Sequence, residues 1–132
     1  MIFFTILSAL LFAALSNASP TSSQNFIVYS PHITSPKAST TWALGSTHNI
    51  TWETSDIPHE KRGSNGLILL GYVGNGASEH LDIDHPLASS FPIEKGYVLV
   101  RMPKNTPCRN DYFIVLFGDS GNKSPKFRVT KH

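Results

Sequence analysis

Short runs of alternating polar and apolar residues, separated by turns rich in glycine and proline, recur along the chain. In the run His48–Glu53, strand alternation would put Ile50 and Trp52 on one face and Asn49 on the other. No window shows a sustained helical period. The predicted strands are Phe26–Tyr29, Thr40–Leu44, His48–Glu53, Leu67–Val73, Ser89–Ile93, Tyr97–Met102, Tyr112–Phe117 and Lys126–Thr130.

Short strands with turns about every 8–12 residues are typical of all-β sandwiches. We therefore expect an immunoglobulin- or fibronectin-III-like antiparallel β-sandwich of about seven strands. Two segments break the alternation, since Leu67–Leu70 and Tyr112–Phe117 are apolar on both faces. Such a strand is either central and shielded on its outer side or part of an exposed contact face formed by Phe113, Val115 and Phe117.

The N-terminal run Met1–Leu15 is almost wholly apolar but shorter than the roughly 20 residues of a membrane-spanning helix. Small residues at Ser16 and Ala18 predict a signal peptide over 1–18, cleaved between Ala18 and Ser19. An uncleaved N-terminal anchor is the alternative, because no Lys or Arg precedes the apolar run. The predicted organisation is then a lead and first strand over 19–32 and the sandwich domain over 33–132.

Charge and cysteine content limit the partners. The formal net charge is +2 with scattered basic residues, and the longest basic run is Lys61–Arg62, so no nucleic-acid partner is expected. The polar end at 126–132 carries no hydrophobic tail, so no stable membrane anchor is expected.

Cys108 is the only cysteine and allows no intrachain disulfide. Its thiol is expected to be buried or semi-buried, with a dimer through an intermolecular Cys108 bridge as the alternative.

A spaced pattern between about Ile33 and Val129 resembles a known family domain. The matching residues are Ser35-Pro36, Trp42, Gly45-Ser46, Ile50-Thr51-Trp52, Gly96, Pro103, Tyr112, Ile114, Leu116, Ser124 and Phe127. The pattern resembles the N-terminal domain of yeast cell-wall synthesis proteins of the Kre9/Knh1-like type and of fungal Ser/Thr-rich GPI-anchored membrane proteins.

This resemblance implies an extracellular fungal β-sandwich linked to wall organisation, without catalytic residues. Two departures favour a free secreted domain over a wall-anchored one. Val98 and Val100 stand where the family has aromatic residues, and the Ser/Thr-rich stalk and anchor signal are missing. We expect a non-enzymatic protein, extracellular or associated with the cell wall, that binds wall polysaccharide such as β-glucan or another wall protein.

Three other patterns suggest chemistry. Gly118–Gly121 spells a serine-protease-like tetrapeptide but fits a turn better, because its residues are turn formers and the chain is too short for that scaffold. The segment Glu79–His85 could place His80, Asp82 and Asp84 on one side of a strand as ligands of zinc or copper. The carboxylates that could serve glycoside hydrolysis are Glu53, Asp56, Glu79, Asp82, Asp84 and Glu94.

The Glu79–His85 segment fits a solvated loop better than a metal site, and no carboxylate pair can be singled out. We therefore predict no catalytic residue, cofactor or metal ion. The alternative function is that of a secreted metal-binding or effector-type protein that uses this segment. An effector would bind a host partner.

Asn49-Ile50-Thr51 is a glycosylation sequon that strand alternation turns outward, so we predict a glycoprotein modified at Asn49. Asn122-Lys123-Ser124 also fits the triplet, but a proline follows it. The aromatic residues that could stack on sugar rings are Trp42, Trp52, Tyr72 and Tyr97. Trp52 is expected in the core, whereas Trp42 fits either the core or a contact surface.

Overall fold

The computed structural model describes residues 29–74 and 78–131. These residues form ten strands and two short 3₁₀ helices, at His59–Lys61 and Ile93–Lys95. The strands are β1 (Ile33–Ser35), β2 (Thr41–Ala43), β3 (Thr47–Trp52), β4 (Asn65–Val73), β5 (Glu79–Leu81), β6 (Ala88–Pro92), β7 (Tyr97–Arg101), β8 (Arg109–Phe117), β9 (Gly121–Lys123) and β10 (Phe127–Thr130). No helix in these two ranges is long and apolar enough to cross a membrane.

The strands form two sheets that face each other. The smaller sheet has the order β1-β3-β7, and the larger sheet has the order β2-β10-β8-β4-β5 with β6 paired to β4 and β9 paired to β8. The Ser35–Pro36 peptide bond is cis and lies where the chain passes from β1 to β2, that is, from one sheet to the other. All pairs are antiparallel except β2 with β10. The predicted all-β sandwich is confirmed.

The core lies between the sheets and takes apolar side chains from the inner face of each. Its fully buried members include Ile50 and Met102 on the side of the smaller sheet, and Ile68, Ile114 and Phe127 on the larger one. Trp42 and Trp52 are both 4% exposed. The Trp52 indole donates from Nε1 to the carbonyl of Ile93 at 2.8 Å, which satisfies its one polar group inside the core. The core assignment predicted for Trp52 is confirmed, and Trp42 is also core.

A tyrosine near the start of β8 closes the corner between β7 and β8. The Tyr112 hydroxyl donates to the carbonyl of Pro107 at 2.6 Å, five residues upstream. The same arrangement at the corresponding strand marks immunoglobulin-like sandwiches, in which a disulfide cysteine lies two residues later. Here that position is Ile114, which is fully buried. The sandwich is therefore held at this point by apolar packing.

The two continuously apolar strands, β4 and β8, lie side by side in the middle of the larger sheet. Phe113 and Val115 point away from the main core and are nevertheless buried, while Phe117 is half-buried. The Lys123 ammonium lies 5.3 Å from the centroid of the Phe113 ring and pairs with Glu79. Of the two alternatives, the shielded central strand is confirmed and the exposed contact face is wrong.

Seven of the ten strands in the described residues were predicted from the sequence, including the three-residue β2, which lies in the longer predicted run Thr40–Leu44. The prediction missed β1, β5 and β9, which also have three residues each and carry too few positions to show a period. The predicted strand Phe26–Tyr29 falls mostly outside the described residues. Tyr29 itself lies in no strand, although it is buried and donates from its hydroxyl to the Glu53 carbonyl at 3.1 Å.

Candidate functional site

A groove of about 540 Å³ opens at the end of the sandwich where β4 finishes and β8 begins. We call it the end groove. It combines apolar and aromatic side chains with several polar ones, which is the usual make-up of a ligand site. Its lining residues are Leu70, Tyr72, His80, Leu81, Asp82, His85, Pro103, Asn105, Thr106, Pro107 and Tyr112.

Three segments build the walls of the end groove. Leu70, Tyr72 and Tyr112 come from the inner face of the larger sheet, where Tyr72 and Tyr112 are direct cross-strand partners. β5 and the turn after it form a second wall. The connection from Pro103 to Pro107 forms the third, and the Tyr112–Pro107 hydrogen bond ties it to the sheet. The groove is thus fixed by the same contact that closes the β7–β8 corner.

A β-bulge at the start of β8 turns a charged residue toward this end of the sheet. Phe127 lies opposite Tyr112, but Val129 lies opposite Arg109, so three steps along β8 match two along β10. In a regular strand Arg109 and Tyr112 would face opposite ways, because they are an odd number of residues apart. The extra residue puts both on one face.

Tyr72 is the centre of a stack of flat side chains. The His80 ring lies 4.8 Å from the Tyr72 ring at an interplanar angle of 22°, and the Arg109 guanidinium carbon lies 4.3 Å from the Tyr72 centroid. Tyr112 meets Tyr72 edge-on, with centroids 6.2 Å apart. His80 and Arg109 come from the two strands that flank β4, and the contacts hold the tyrosine ring in one orientation.

The polar side chains in and beside the end groove are hydrogen-bonded to one another. Arg109 donates to Asp111 through Nε at 2.7 Å and Nη2 at 3.0 Å, and this hydrogen bonding lowers the pKa of Asp111 and raises that of Arg109. Asp82 accepts from the backbone N–H of His85 at 3.2 Å and from its Nδ1 at 3.1 Å. A groove whose polar groups are already hydrogen-bonded to one another favours a neutral ligand over a strongly charged one.

Burial also changes the pKa of the Tyr112 hydroxyl. Its ring is 2% exposed, and burial raises its pKa to about 12. The hydroxyl is therefore protonated at all physiological pH values and acts as a hydrogen-bond donor to Pro107. It positions the wall of the groove and is not suited to acid–base catalysis near neutral pH.

The four aromatic residues considered for sugar stacking lie in three places. Trp52 is buried in the core as predicted, and Trp42, for which core and contact surface were both open, is buried there too, so neither ring is available to a ligand. Tyr72 is half-buried in the end groove. Tyr97 is 42% exposed, but it lies on the outer face of the smaller sheet, away from the groove. Only Tyr72 combines partial exposure with surrounding polar groups.

The Glu79–His85 segment is not one continuous strand. β5 ends at Leu81, so the alternation that would align His80, Asp82 and Asp84 stops before the second of them. His80 stacks on Tyr72, and Asp82 is bonded to His85. Within residues 29–74 and 78–131, no three His, Cys, Asp or Glu side chains converge as they would around a metal ion.

Residues 118–120 form a turn after β8, and Gly121 begins β9. The predicted turn is confirmed, but it leads to β9 and not directly to the final strand. The Asp119 carboxylate is bound by Lys61 at 2.9 Å and by the backbone N–H of Tyr29 at 3.1 Å, and the hydrogen bond from Lys61 lowers its pKa. The carboxylates considered for hydrolysis, Glu53, Asp56, Glu79, Asp82, Asp84 and Glu94, are all exposed, and only Asp82 lines the end groove.

The remaining predicted residues lie elsewhere on the surface. Asn49 is exposed on β3, on the side opposite the buried Ile50. Cys108 is exposed, so the expectation of a buried or semi-buried thiol is wrong. The reason is its position just before β8, outside the strand alternation that would have turned it inward. The predicted cleavage site at Ala18 and Ser19 lies outside the described residues.

Sequence reasoning missed Arg109, Asn105 and Thr106. It began the strand at Tyr112 because the three residues before it are polar, whereas β8 begins at Arg109. A bulge interrupts the alternation of a strand, and Asn105 and Thr106 lie in a loop that the Tyr112–Pro107 hydrogen bond ties to the sheet. Comparisons with protein-family models, with curated proteins and with solved structures gave no match to this chain.

Proposed function

We propose that this chain is a secreted, non-enzymatic β-sandwich protein of the fungal cell wall or extracellular space that binds wall β-glucan in the end groove. The observation that carries the proposal is a half-buried tyrosine, Tyr72, set among polar side chains that stack on it or hydrogen-bond to one another. A neutral sugar has an apolar C–H face and a rim of hydroxyl groups. A groove with this mixture suits both parts.

The wall opposite β5 supplies hydrogen-bonding groups. Asn105 offers both a carbonyl oxygen and an N–H₂ group, and Thr106 offers a hydroxyl. Asp82 and His85 add an acceptor and a donor on the other side. Leu81 and Pro103 add apolar surface to the same two walls. The polar groups would orient a ligand, while the apolar surface would supply most of the contact area.

The resemblance to the Kre9/Knh1-like domain points to the same ligand class, and the predicted signal peptide supports export. Binding of another wall protein is the alternative within this proposal. The end groove favours the polysaccharide, because a protein interface of ordinary size buries about 800 Å² on each partner and needs a broader surface.

The test is co-sedimentation of the purified protein with insoluble β-1,3-glucan, with chitin as a second polymer. We expect the protein in the glucan pellet. Tyr72→Leu and His80→Ala should weaken glucan binding about tenfold, which corresponds to about 1.4 kcal/mol. Tyr97→Leu is the matched control, since it removes an exposed tyrosine outside the groove.

Wild-type protein that stays wholly in the supernatant would contradict glucan binding. Equal losses for Tyr72→Leu and Tyr97→Leu would place any binding outside the end groove. Pellet fractions that match for chitin and glucan would show adsorption without selectivity. Circular dichroism of each variant separates loss of binding from loss of fold.

A further inference from the structure

The outer face of the smaller sheet carries apolar side chains on its edge strand. Leu99 is 64% exposed in the middle of β7, and Tyr97 on the same face is 42% exposed. The Lys95 ammonium lies 4.7 Å from the Tyr97 centroid and covers part of that ring. Within the described residues β7 pairs only with β3, so its other edge is open. An open edge with an exposed leucine invites pairing with another chain.

Asn49 lies directly across from this leucine. The β3–β7 register pairs Asn49 with Leu99 and Thr51 with Tyr97. Directly opposed residues have Cβ atoms about 4.5–5.5 Å apart and share one face of the sheet. Both ends of the Asn49-Ile50-Thr51 sequon therefore lie on the outer face, and Asn49 is exposed there.

We propose that Asn49 carries an N-linked glycan whose first sugar lies on Leu99 and covers the apolar strip of β7. The inference rests on the export included in the proposed function but is independent of glucan binding. In the transfer, Asn49 Nδ2 forms a bond to the anomeric carbon of a lipid-pyrophosphate-linked oligosaccharide. The bond from that carbon to the pyrophosphate oxygen breaks, the lipid pyrophosphate leaves with the electron pair, and one amide proton passes to a base of the transferase.

The β3–β7 register determines where a glycan on Asn49 would lie. A sugar attached to Asn49 reaches Leu99 across one strand spacing, about 4.8 Å, without any change in the backbone. Its C–H face covers apolar surface that would otherwise face water. By covering Leu99, the sugar also removes the apolar contact that a second copy would use to associate at β7. The glycosylated protein therefore stays monomeric.

The first experiment establishes the attachment. The full chain is produced in a secreting yeast, and its intact mass is measured before and after enzymatic removal of N-glycans. We expect a glycan that is lost in Asn49→Gln and kept in Asn122→Gln, which alters the other sequon. Protein in the medium without sugar at Asn49 would overturn the inference and leave glucan binding intact. Protein absent from the medium would overturn export, and with it both proposals.

The second experiment tests the packing on Leu99. Glycans are trimmed with an endoglycosidase that leaves one sugar, and self-association is measured by sedimentation velocity. The trimmed protein should remain monomeric, because the first sugar suffices. Asn49→Gln should associate about tenfold more strongly, and adding Leu99→Thr to Asn49→Gln should reverse that increase. Identical association of trimmed and Asn49→Gln protein, or no effect of Leu99→Thr, would overturn the proposed contact.

Discussion

At the scale of single residues, Tyr112 connects the fold to the end groove. Its ring packs in the core, and its hydroxyl holds the Pro103–Pro107 wall through Pro107. The sequence placed Tyr112 correctly in an apolar strand, although β8 begins three residues earlier, at Arg109. It gave no indication of the hydroxyl's partner. Every residue has a backbone carbonyl, so residue type does not identify which one accepts the hydrogen bond.

Tyr112→Phe removes this hydrogen bond and keeps the ring. We expect a loss of about 1 kcal/mol in the free energy of unfolding, the usual net value of one hydrogen bond. Glucan affinity should also fall, because the groove wall is no longer tied to the sheet. Urea unfolding measures the first effect, with Tyr97→Phe as the control at an exposed tyrosine. An unchanged midpoint for Tyr112→Phe would contradict the role given to its hydroxyl.

The same residue predicts a pH dependence. The pKa of Tyr112 is about 12 in the folded chain, whereas a tyrosine in the unfolded chain titrates near about 10. Between these values the folded state binds more protons than the unfolded state, so stability falls as pH rises. Tyr112 thus contributes stability that is complete below about pH 10 and lost as the pH approaches 12.

The pH dependence is measured by urea unfolding at intervals from neutral pH to pH 12. Lysine deprotonation occurs in the same range, so the wild type is compared with Tyr112→Phe. The variant should lose less stability over this interval than the wild type. Parallel curves for the two proteins would show that Tyr112 does not titrate as described.

At the scale of elements, every described strand longer than three residues was predictable, whereas of the four three-residue strands only β2 was. β3 and β10 alternate apolar and polar residues over enough positions to fix which face is buried. β5 has three exposed residues and no such pattern. The end groove depends on β5, on a bulge in β8 and on a loop, which are the three kinds of feature that periodicity does not detect. The fold was therefore easier to predict than the site.

The pairing of β5 with β4 depends on Gly71. A Cβ atom there would lie 2.7 Å from Leu81 Cδ2, 2.8 Å from Phe113 Cζ and 2.9 Å from the backbone oxygen of His80. Because one of these atoms is backbone, β5 would have to move away from β4. We expect Gly71→Ala to cost about 1–3 kcal/mol in the free energy of unfolding and to displace the groove wall.

Gly63→Ala is the matched control for this substitution, since a Cβ atom at Gly63 has no neighbour within 4 Å. Thermal unfolding of both variants measures the difference. Gly71→Ala should lower the midpoint clearly, and Gly63→Ala should leave it nearly unchanged. Equal midpoints for the two variants would contradict the close packing of β5 on β4.

At the scale of the whole molecule, the sandwich closes around one apolar core without an intrachain disulfide. Ile114 lies two residues after the corner tyrosine, where antibody domains have a disulfide cysteine, and the single cysteine, Cys108, lies on the surface. The sequence showed that the apolar core must stabilise the fold without a disulfide, because one cysteine allows no internal bridge. It did not show the exposure of Cys108, which depends on where β8 begins.

An exposed thiol should react in the folded protein. We expect one Cys108 equivalent to be labelled by a thiol reagent in native buffer, at the stoichiometry found after denaturation. Reaction only after unfolding would contradict the exposure. A dimer through Cys108 remains a proposal, and its signature is a doubled mass on a non-reducing gel that disappears in Cys108→Ser. A monomer under mild oxidation would rule that dimer out.

The binding of neutral wall polysaccharide in the end groove is tested most directly by nuclear magnetic resonance. A soluble β-1,3-glucan oligosaccharide is titrated into isotope-labelled protein, and backbone and side-chain amide shifts are followed. Glucan binding in this groove predicts saturable changes centred on Tyr72, His80 and Asn105, with Leu99 unchanged. A spectrum that does not respond to the oligosaccharide, or changes confined to the outer face of the smaller sheet, would contradict it.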